Sequence, residues 1–233
     1  MLELDHVVYF TEQAPVDVVE GQKELGWHAV VGGSHEKWGT QNALMYMSNA
    51  YIEWFSVEYE EIAVKSNHQL VELLLHDISD GEDWGTVCFS VKEIEAFNEK
   101  IKNAGFKTSG VLNAARKTVT GNIVKWKMLF VEQQSSDKLP LPFFIEWEVA
   151  TEERFNLLRE NGTILPDNEK LKITECVFRV SDPNKEAAVW SALLSVKTFE
   201  ESCIHLSNVI LKFKEKAPEL VKERLVDVVI EHV

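Results

Sequence analysis

The tetrapeptide YIEW at residues 51–54 decides the fold, because it returns as FIEW at residues 144–147 and, more weakly, as VIEH at residues 229–232. Each copy is rich in aromatic and β-branched residues, which favour strands. Side chains alternate between the faces of a strand, so each Glu points away from its apolar neighbours. A buried carboxylate is costly unless it is paired, solvated in a cavity or bound to a metal. The repetition makes a shared cavity site an equal alternative to glutamates that merely face water.

Length, charge and cysteine content exclude several classes of function. The 233 residues suffice for one large or two small globular domains. The net charge of −14 argues against nucleic acid or an anionic membrane surface as the main partner, because both attract basic patches. The three cysteines are odd in number and lack Cys-x-x-Cys spacing, which indicates reduced thiols of an intracellular protein. No signal-peptide pattern and no bilayer-spanning apolar run is found, so we expect a cytoplasmic protein.

The order of the predicted elements repeats along the chain. Residues 1–58 contain a strand, a helix that ends before Gly26, and three strands, and residues 84–149 repeat this order with Gly105 after the helix. A third pass, residues 170–233, has a strand, a helix and two further strands. Internal repetition of this kind is the strongest feature of the sequence. It predicts an α+β fold of tandem βαβββ modules followed by a third, partial module.

Aligning the passes brings candidate polar residues into register. The opening strands place His6 level with Thr86, and the closing strands place Glu53 level with Glu146. Simple alternation along the first strand puts Leu4 on the same face as His6. We therefore expect Glu53 and Glu146 to converge with His6 on one cavity.

Several motifs carry a family resemblance. They are LDHVV at residues 4–8, GSH at 33–35, WGTQNAL at 38–44, YIE at 51–53, Gly121 followed by Trp126, and LPFFIEW at 141–147. Together they cover about residues 1–150, and they resemble the glyoxalase-like domain family of the vicinal oxygen chelate superfamily. The resemblance implies that residues 1–150 form two paired βαβββ modules in a curved mixed sheet around a central cup. It also implies a divalent metal held by the first and last strands of each module.

The resemblance assigns the metal positions to His6, Glu53, Thr86 and Glu146. Thr86 is a poor ligand, but His6, Glu53 and Glu146 are chemically sufficient for Mn²⁺, Fe²⁺, Zn²⁺ or Ni²⁺ with open positions for substrate and water. Such a metal could polarise vicinal oxygens, stabilise an enediolate or activate dioxygen. The alternative is a cup without metal, in which the same residues recognise a small molecule.

Further candidate residues surround the cup. The predicted catalytic residues are Glu146 and His35, whose imidazole titrates near neutrality. The predicted substrate contacts are Asn42, Tyr51, Arg116 and Trp126. Arg116 suits a substrate carboxylate, although an ordinary surface position is the alternative. Aromatic side chains such as Tyr51 and Trp126 could line the cup or simply pack the core. No glycine-rich phosphate loop follows a strand, so we expect no nucleotide cofactor.

Two classes of function follow from these observations. The first is a metal-dependent lyase, isomerase or dioxygenase acting on a small oxygenated molecule, and the second is a metal-free binding or sequestering protein of the bleomycin-resistance type. Both have a small molecule as partner. The third pass is a half-sheet without an obvious partner in the chain, which predicts pairing with a second copy as a homodimer. The alternative is that it packs back on the first two modules and leaves a monomer.

Overall fold

The chain folds as two successive modules and a third, smaller unit. This computed structural model describes residues 2–117, 123–196 and 202–233. The first module contains β1 (Glu3–Phe10), α1 (Pro15–Glu24), β2 (Val30–His35), β3 (Thr40–Tyr46) and β4 (Tyr51–Val57). The second contains β5 (Asp83–Ser90), α4 (Ile94–Asn103), β6 (Leu112–Lys117), β7 (Ile123–Leu129) and β8 (Phe143–Trp147). Between them lie α2 (Glu60–Ala63), α3 (Gln69–Asp77) and a short 3-10 helix (Ile78–Asp80).

The remaining elements form the third unit and its connection. Helix α5 (Thr151–Glu160) and a 3-10 helix (Asn168–Lys170) lead into it. The unit contains β9 (Leu171–Val180), α6 (Pro183–Leu194), β10 (Cys203–His205), β11 (Ile210–Glu215) and β12 (Arg224–His232). None of the helices that the structure describes is long and apolar enough to cross a membrane.

The two modules share one curved, eight-stranded sheet. Its order is β2-β3-β4-β1-β5-β8-β7-β6, so the first strands of the two modules are neighbours at its centre. Strand β1 pairs parallel with β4, and β5 pairs in the same way with β8. Strands β1 and β5 pair antiparallel with Val7 opposite Val87, which relates the modules by an approximate two-fold axis. The predicted α+β fold with a curved mixed sheet is confirmed.

The sheet has two apolar faces with different coverings. On the concave face, which we call the cup, Val8, Phe55 and Phe143 pack against Leu70 and Leu74 of helix α3. Alternation places the neighbouring side chains of the same strands on the outer face. There they join a core with the third unit; the set includes Leu4, Val7, Ile52, Phe89 and Phe144. The third unit therefore covers the outer face, whereas helix α3 packs on the concave face.

The third unit packs on the outer face of the sheet, away from the cup. Trp190 of α6 covers Phe178 and Phe213 of the four-stranded sheet β10-β11-β9-β12 and also contacts Phe89 of β5. Asn49 donates to the Ile173 carbonyl at 2.8 Å. The apolar face that motivated the homodimer prediction is thus covered within the chain, and that prediction loses its stated reason.

Candidate functional site

The cup holds one cluster of polar side chains among aromatic ones. The pocket has an empty volume of about 510 Å³, which includes the solvent at its open mouth. Its polar lining is His6, His35, Asn42, Glu53 and the tyrosines Tyr46 and Tyr51. Its apolar lining is Trp38, Leu44, Phe55, Leu70, Trp126, Met128, Phe143, Ile145 and Trp147. A small molecule with one polar and one apolar side matches this lining.

A β-bulge in strand β1 creates the centre of the cluster. The pairing with β5 passes from Leu4 opposite Phe89 directly to His6 opposite Cys88, so Asp5 is an extra residue. Asp5 and His6 are 5% and 3% exposed, and His6 Nδ1 lies 2.8 Å from Asp5 Oδ1. Because of the extra residue, Leu4 joins the outer-face core. The prediction that Leu4 shares the face of His6 is wrong for this reason.

Glu53 faces His6 from the neighbouring strand. Its Oε2 lies 3.3 Å from His6 Nε2, and its Oε1 accepts a hydrogen bond from the Asn42 side-chain amide. Tyr51 stacks on the His6 ring with a centroid distance of 4.5 Å. Asn42 fits because Gly32 has no side chain: a Cβ there would lie 2.1 Å from Asn42 Oδ1. His6 is therefore held between two carboxylates and an aromatic ring.

The surroundings of His6 favour its charged form. Burial opposes protonation, but the carboxylates of Asp5 and Glu53, which face the two ring nitrogens, outweigh it and raise the pKa of His6 well above its usual value. Burial alone would raise the pKa of Glu53, but the hydrogen bond and charge of His6 lower it instead. For Asp5, burial is likewise outweighed, mainly by Arg154, and its pKa is lowered. The two carboxylates thus favour the imidazolium form of His6 over the neutral imidazole.

Glu146 does not belong to this cluster. Its carboxylate accepts hydrogen bonds from the backbone N–H groups of Glu93 at 2.7 Å and Ile94 at 3.4 Å, where helix α4 begins. Its neighbours in β8, Ile145 and Trp147, line the cup, so Glu146 points to the opposite face. The prediction that Glu53 and Glu146 converge on one cavity is wrong. Glu146 stabilises the first turn of a helix.

The strand register explains this error. Glu53 lies opposite Val8 in the first module, and Phe143 lies opposite Cys88 in the second. In the antiparallel pair of β1 and β5, His6 lies opposite Cys88 and Val8 lies opposite Thr86. The two-fold axis between these strands makes Val8 equivalent to Cys88, so Phe143 occupies the position that corresponds to Glu53. The YIEW and FIEW segments resemble each other in sequence but stand at different positions in their ladders. Alignment by similarity alone misplaces the second glutamate.

The cup does not fit the predicted divalent metal. According to the register, the four positions that correspond to metal ligands in the family are His6, Glu53, Thr86 and Phe143. Only His6 and Glu53 have side chains that commonly bind metal ions. Both ring nitrogens of His6 already face carboxylates. Among the described residues, no group of three or more His, Cys, Asp or Glu side chains is arranged to hold a metal ion. The donor set matches a hydrogen-bonded, charged cluster better than a metal site.

The other predicted site residues are distributed unevenly. His35 reaches the cup, with its ring 5.1 Å from Trp38 and Nδ1 3.2 Å from Thr40 Oγ1. Asn42, Tyr51 and Trp126 also line it, the last packing 5.6 Å from Trp147. Arg116 stands in β6 opposite Val124, and its side chain lies outside the part of the chain that the structure describes.

A third imidazole, that of His68, packs next to the aromatic lining of the cup. The His68 ring packs between Trp38 at 4.1 Å and Phe130 at 5.1 Å. Burial, with a smaller contribution from His35, lowers the pKa of His68 to about 4. Neither ring nitrogen has a hydrogen-bond partner among the described residues. His68 therefore serves as a neutral aromatic side chain at pH 7.

Sequence reasoning did not assign a role in the site to Asp5, Trp147 or Arg154, which all contact the cluster. Asp5 binds His6 through one oxygen, and its other oxygen accepts hydrogen bonds from Trp147 Nε1 at 2.8 Å and Arg154 Nη2 at 3.2 Å. Asp5 stands inside the LDHVV motif, but strand alternation directs it away from His6 unless a bulge intervenes. Arg154 lies on α5, in a segment whose charged composition reads as a solvated connector. No local signal in the sequence marks its burial.

Comparisons with known proteins agree with this architecture. The model of the glyoxalase-like domain matches residues 4–194. A hypothetical protein from Staphylococcus aureus is similar in fold over 100% of this chain and 92% of its own, with a TM-score of 0.83 and 21% identity. A search of the curated proteins found no match.

Two further solved structures match over part of the chain. Methylmalonyl-CoA epimerase from Streptomyces coelicolor covers 63% of this chain and 98% of its own, with 13% identity and a TM-score of 0.45. The epimerase from Mycobacterium tuberculosis covers 66% of this chain and 91% of its own, with 18% identity and a TM-score of 0.42. The match of the family model over most of the sequence settles the family. The chain belongs to the glyoxalase-like domain family.

Proposed function

We propose that this protein binds a small oxygenated molecule in the cup without a metal, through the His6–Glu53 pair. The supporting observation is the burial of these two opposite charges, 3.3 Å apart, in a cavity walled by aromatic side chains. Burying an ion pair contributes little net stability, and a packed apolar pair would serve the core as well. Charged groups with strongly shifted pKa values in a cleft are typical of functional sites.

The pair offers complementary contacts to one ligand. Protonated His6 points Nε2–H toward Glu53, and a carbonyl, carboxylate or enolate oxygen of a ligand placed beside Glu53 can share this donor. The Glu53 carboxylate accepts from a ligand hydroxyl or takes a proton from an adjacent carbon. A molecule with neighbouring carbonyl and hydroxyl groups satisfies both residues. Tyr46 and Tyr51 also line the pocket.

The apolar part of the lining selects the remainder of the ligand. Trp126, Ile145 and Trp147 of the second module line the same pocket as His6 and Glu53 and supply apolar surface to it. A ligand that buries a hydrocarbon or ring there gains about 25 cal/mol for each Å² removed from water. His35 at the mouth is the candidate for a second proton-transfer group, because it is an imidazole beside the same pocket. Proton transfer at a carbon next to a carbonyl, as in a lyase or isomerase, is the chemistry that this set of groups favours.

The experiment measures binding and metal content on the same protein. Untagged protein is analysed by native mass spectrometry and by elemental analysis, and it is then titrated with hydroxy acids, 2-oxo acids, diols and phenols. Binding is followed through the NMR signals of the Trp126 and Trp147 indole N–H groups. We expect saturable binding of at least one probe class with less than one-tenth equivalent of transition metal. One equivalent of bound metal that the binding requires would overturn the proposal.

A matched pair of variants assigns the binding to the cup. Glu53→Gln removes the charge that faces His6, whereas Glu146→Gln makes the same change on the opposite face of the sheet. We expect Glu53→Gln to weaken binding by about tenfold or more, which corresponds to roughly 1.4 kcal/mol. Glu146→Gln leaves the affinity unchanged. Equal affinities in wild type and both variants would place the ligand elsewhere.

The localisation, the partner and the oligomeric state of the protein are also part of the proposal. We propose a cytoplasmic protein whose partner is a small molecule, in agreement with the acidic charge of −14. Homodimer formation stays a prediction, which sedimentation of the full chain at micromolar concentration tests. The cup is formed within one chain, so a ligand-binding site does not require a second copy.

A further inference from the structure

The charged cluster of the cup extends to a residue outside the two modules. Arg154 of helix α5 is only 9% exposed, and its Nη2 lies 3.2 Å from Asp5 Oδ2. Its guanidinium carbon lies 4.2 Å from the centroid of the Trp147 ring. Nε and Nη1 have no hydrogen-bond partner among the described residues, so Asp5 and the Trp147 ring supply most of the compensation for its burial. A buried cation with so few hydrogen-bond partners lowers the stability of the fold, and an apolar side chain would pack at this position without that cost.

Asp5 transmits the position of Arg154 to both walls of the cup. One oxygen of Asp5 faces His6 Nδ1, and the other accepts from Trp147 Nε1 and from Arg154. His6 and Trp147 both line the pocket, the first with a charged ring and the second with an apolar one. A single carboxylate therefore fixes the polar and the apolar wall, and Arg154 holds that carboxylate in place. The bulge at Asp5 is what brings the carboxylate within reach of all three groups.

We propose that Arg154 is a positioning residue of the cup. It orients His6 through Asp5, and it orients Trp147 both through Asp5 and through its own contact with the Trp147 ring. With Nδ1 committed to Asp5, His6 presents Nε2 to Glu53 and to the ligand. Helix α5, which follows the second module, is thus part of the ligand-binding machinery. This inference rests on the proposed function of the cup, but it makes a statement about the protein alone.

The test follows the titration of His6 and therefore needs no ligand. The Hε1 signal of His6 is assigned by its loss in His6→Gln. It is then recorded by NMR between about pH 5 and 10 in wild type, Arg154→Met and Arg154→Lys. We expect Arg154→Met to shift the His6 midpoint downward by about one pH unit, because Asp5 is no longer held as a carboxylate beside it. Arg154→Lys, which keeps the cation, restores most of the shift.

A control on the same helix separates positioning from general damage. Arg159→Met removes an exposed guanidinium that pairs with Glu169, far from the cluster. It should leave the His6 midpoint and the Trp147 indole signal unchanged. Folding of every variant is checked by circular dichroism, and Arg154→Gln, which also removes the positive charge, carries the test if Arg154→Met does not fold. An unshifted His6 midpoint in a folded Arg154→Met or Arg154→Gln variant, equal to that of Arg159→Met, would overturn the inference. Failure of every probe molecule to bind would instead count against the proposed function alone.

Discussion

The two modules share one fold but present different side chains to the cup. The first contributes His6, Asn42 and Glu53, whereas the second contributes Trp126, Ile145 and Trp147. At positions related by the strand register, His6 corresponds to Thr86 and Glu53 corresponds to Phe143. A repeated backbone therefore does not imply a repeated site. Duplication provides two equivalent walls, and here one carries the charges while the other carries the apolar surface.

The most severe way to break this division is to place a carboxylate in the second module. Phe143→Glu puts a charge where Phe143 stacks on Phe130 at 5.2 Å and contacts His6 at 5.4 Å. We expect a loss of about 3–5 kcal/mol in the free energy of unfolding, because an aromatic contact is lost and a third carboxylate is buried. Urea denaturation measures this loss.

The matched control keeps the apolar character of that position. Phe143→Leu removes ring atoms without adding charge, and we expect about 1–2 kcal/mol of destabilisation from the smaller side chain. If Phe143→Glu proves as stable as Phe143→Leu, the second module accepts a charge as readily as the first. The contrast between the two walls would then have no energetic basis.

The charged wall should make stability depend on pH in a defined window. The pKa of His6 is raised in the folded protein, so its contribution is fully present below about pH 6.5 and is lost as pH rises through the folded value. We expect the free energy of unfolding to decrease above neutrality, by up to about 1.4 kcal/mol for each unit of pKa shift. His6→Gln should flatten this slope, and His232→Gln, at an exposed position, should not. An unchanged slope in His6→Gln would show that the imidazolium is not the source.

The acid side of the same profile belongs to the carboxylates. The pKa values of Asp5 and Glu53 are lowered in the folded protein, so their contributions are present above about pH 4 and are lost as pH falls through the folded values. Stability should therefore be greatest between these two windows. Asp5→Asn is expected to remove part of the acid-side loss, which thermal unfolding between pH 2 and 6 measures with precision of a few tenths of a kcal/mol.

Glu146 sharpens the comparison from the other face of the sheet. Because its carboxylate caps the first N–H groups of α4, Glu146→Ala should cost about 1 kcal/mol in the free energy of unfolding. Glu53→Gln should leave the thermal midpoint nearly intact or raise it, since buried charged groups at functional sites are commonly costs to stability. The opposite ranking of the two variants would make Glu53 the structural residue.

Sequence predicted the fold well because the fold depends on patterns that repeat. The βαβββ order follows from strand composition, helix ends at Gly26 and Gly105, and turn chemistry, all of which are local. The position of His6 and Glu53 in one cavity also follows, since both stand in strands of one module. What a single sequence does not encode locally is the ladder register, and a bulge of one residue at Asp5 changes which side chains share a face.

The second glutamate illustrates the same limit. FIEW and YIEW have the same composition, but β8 pairs with β5 beginning at Phe143, which shifts its register relative to β4. Arg154 was not predictable because its burial depends on contacts with Asp5 and Trp147, which are distant in sequence. Tertiary contacts decide both cases, and sequence similarity between repeats is a poor guide to equivalent positions.

The smallest expected effect concerns Thr86, the counterpart of His6. Thr86 is 3% exposed, and its hydroxyl has no hydrogen-bond partner among the described residues. Thr86→Val has nearly the same shape without the hydroxyl, so it should stabilise the protein by about 0.5–1 kcal/mol. Differential scanning calorimetry measures the increase, and Thr40→Val serves as the control because the Thr40 hydroxyl has a partner in His35. If Thr86→Val weakens ligand binding in the cup, the second module contributes a polar contact, and the division between a charged and an apolar wall fails.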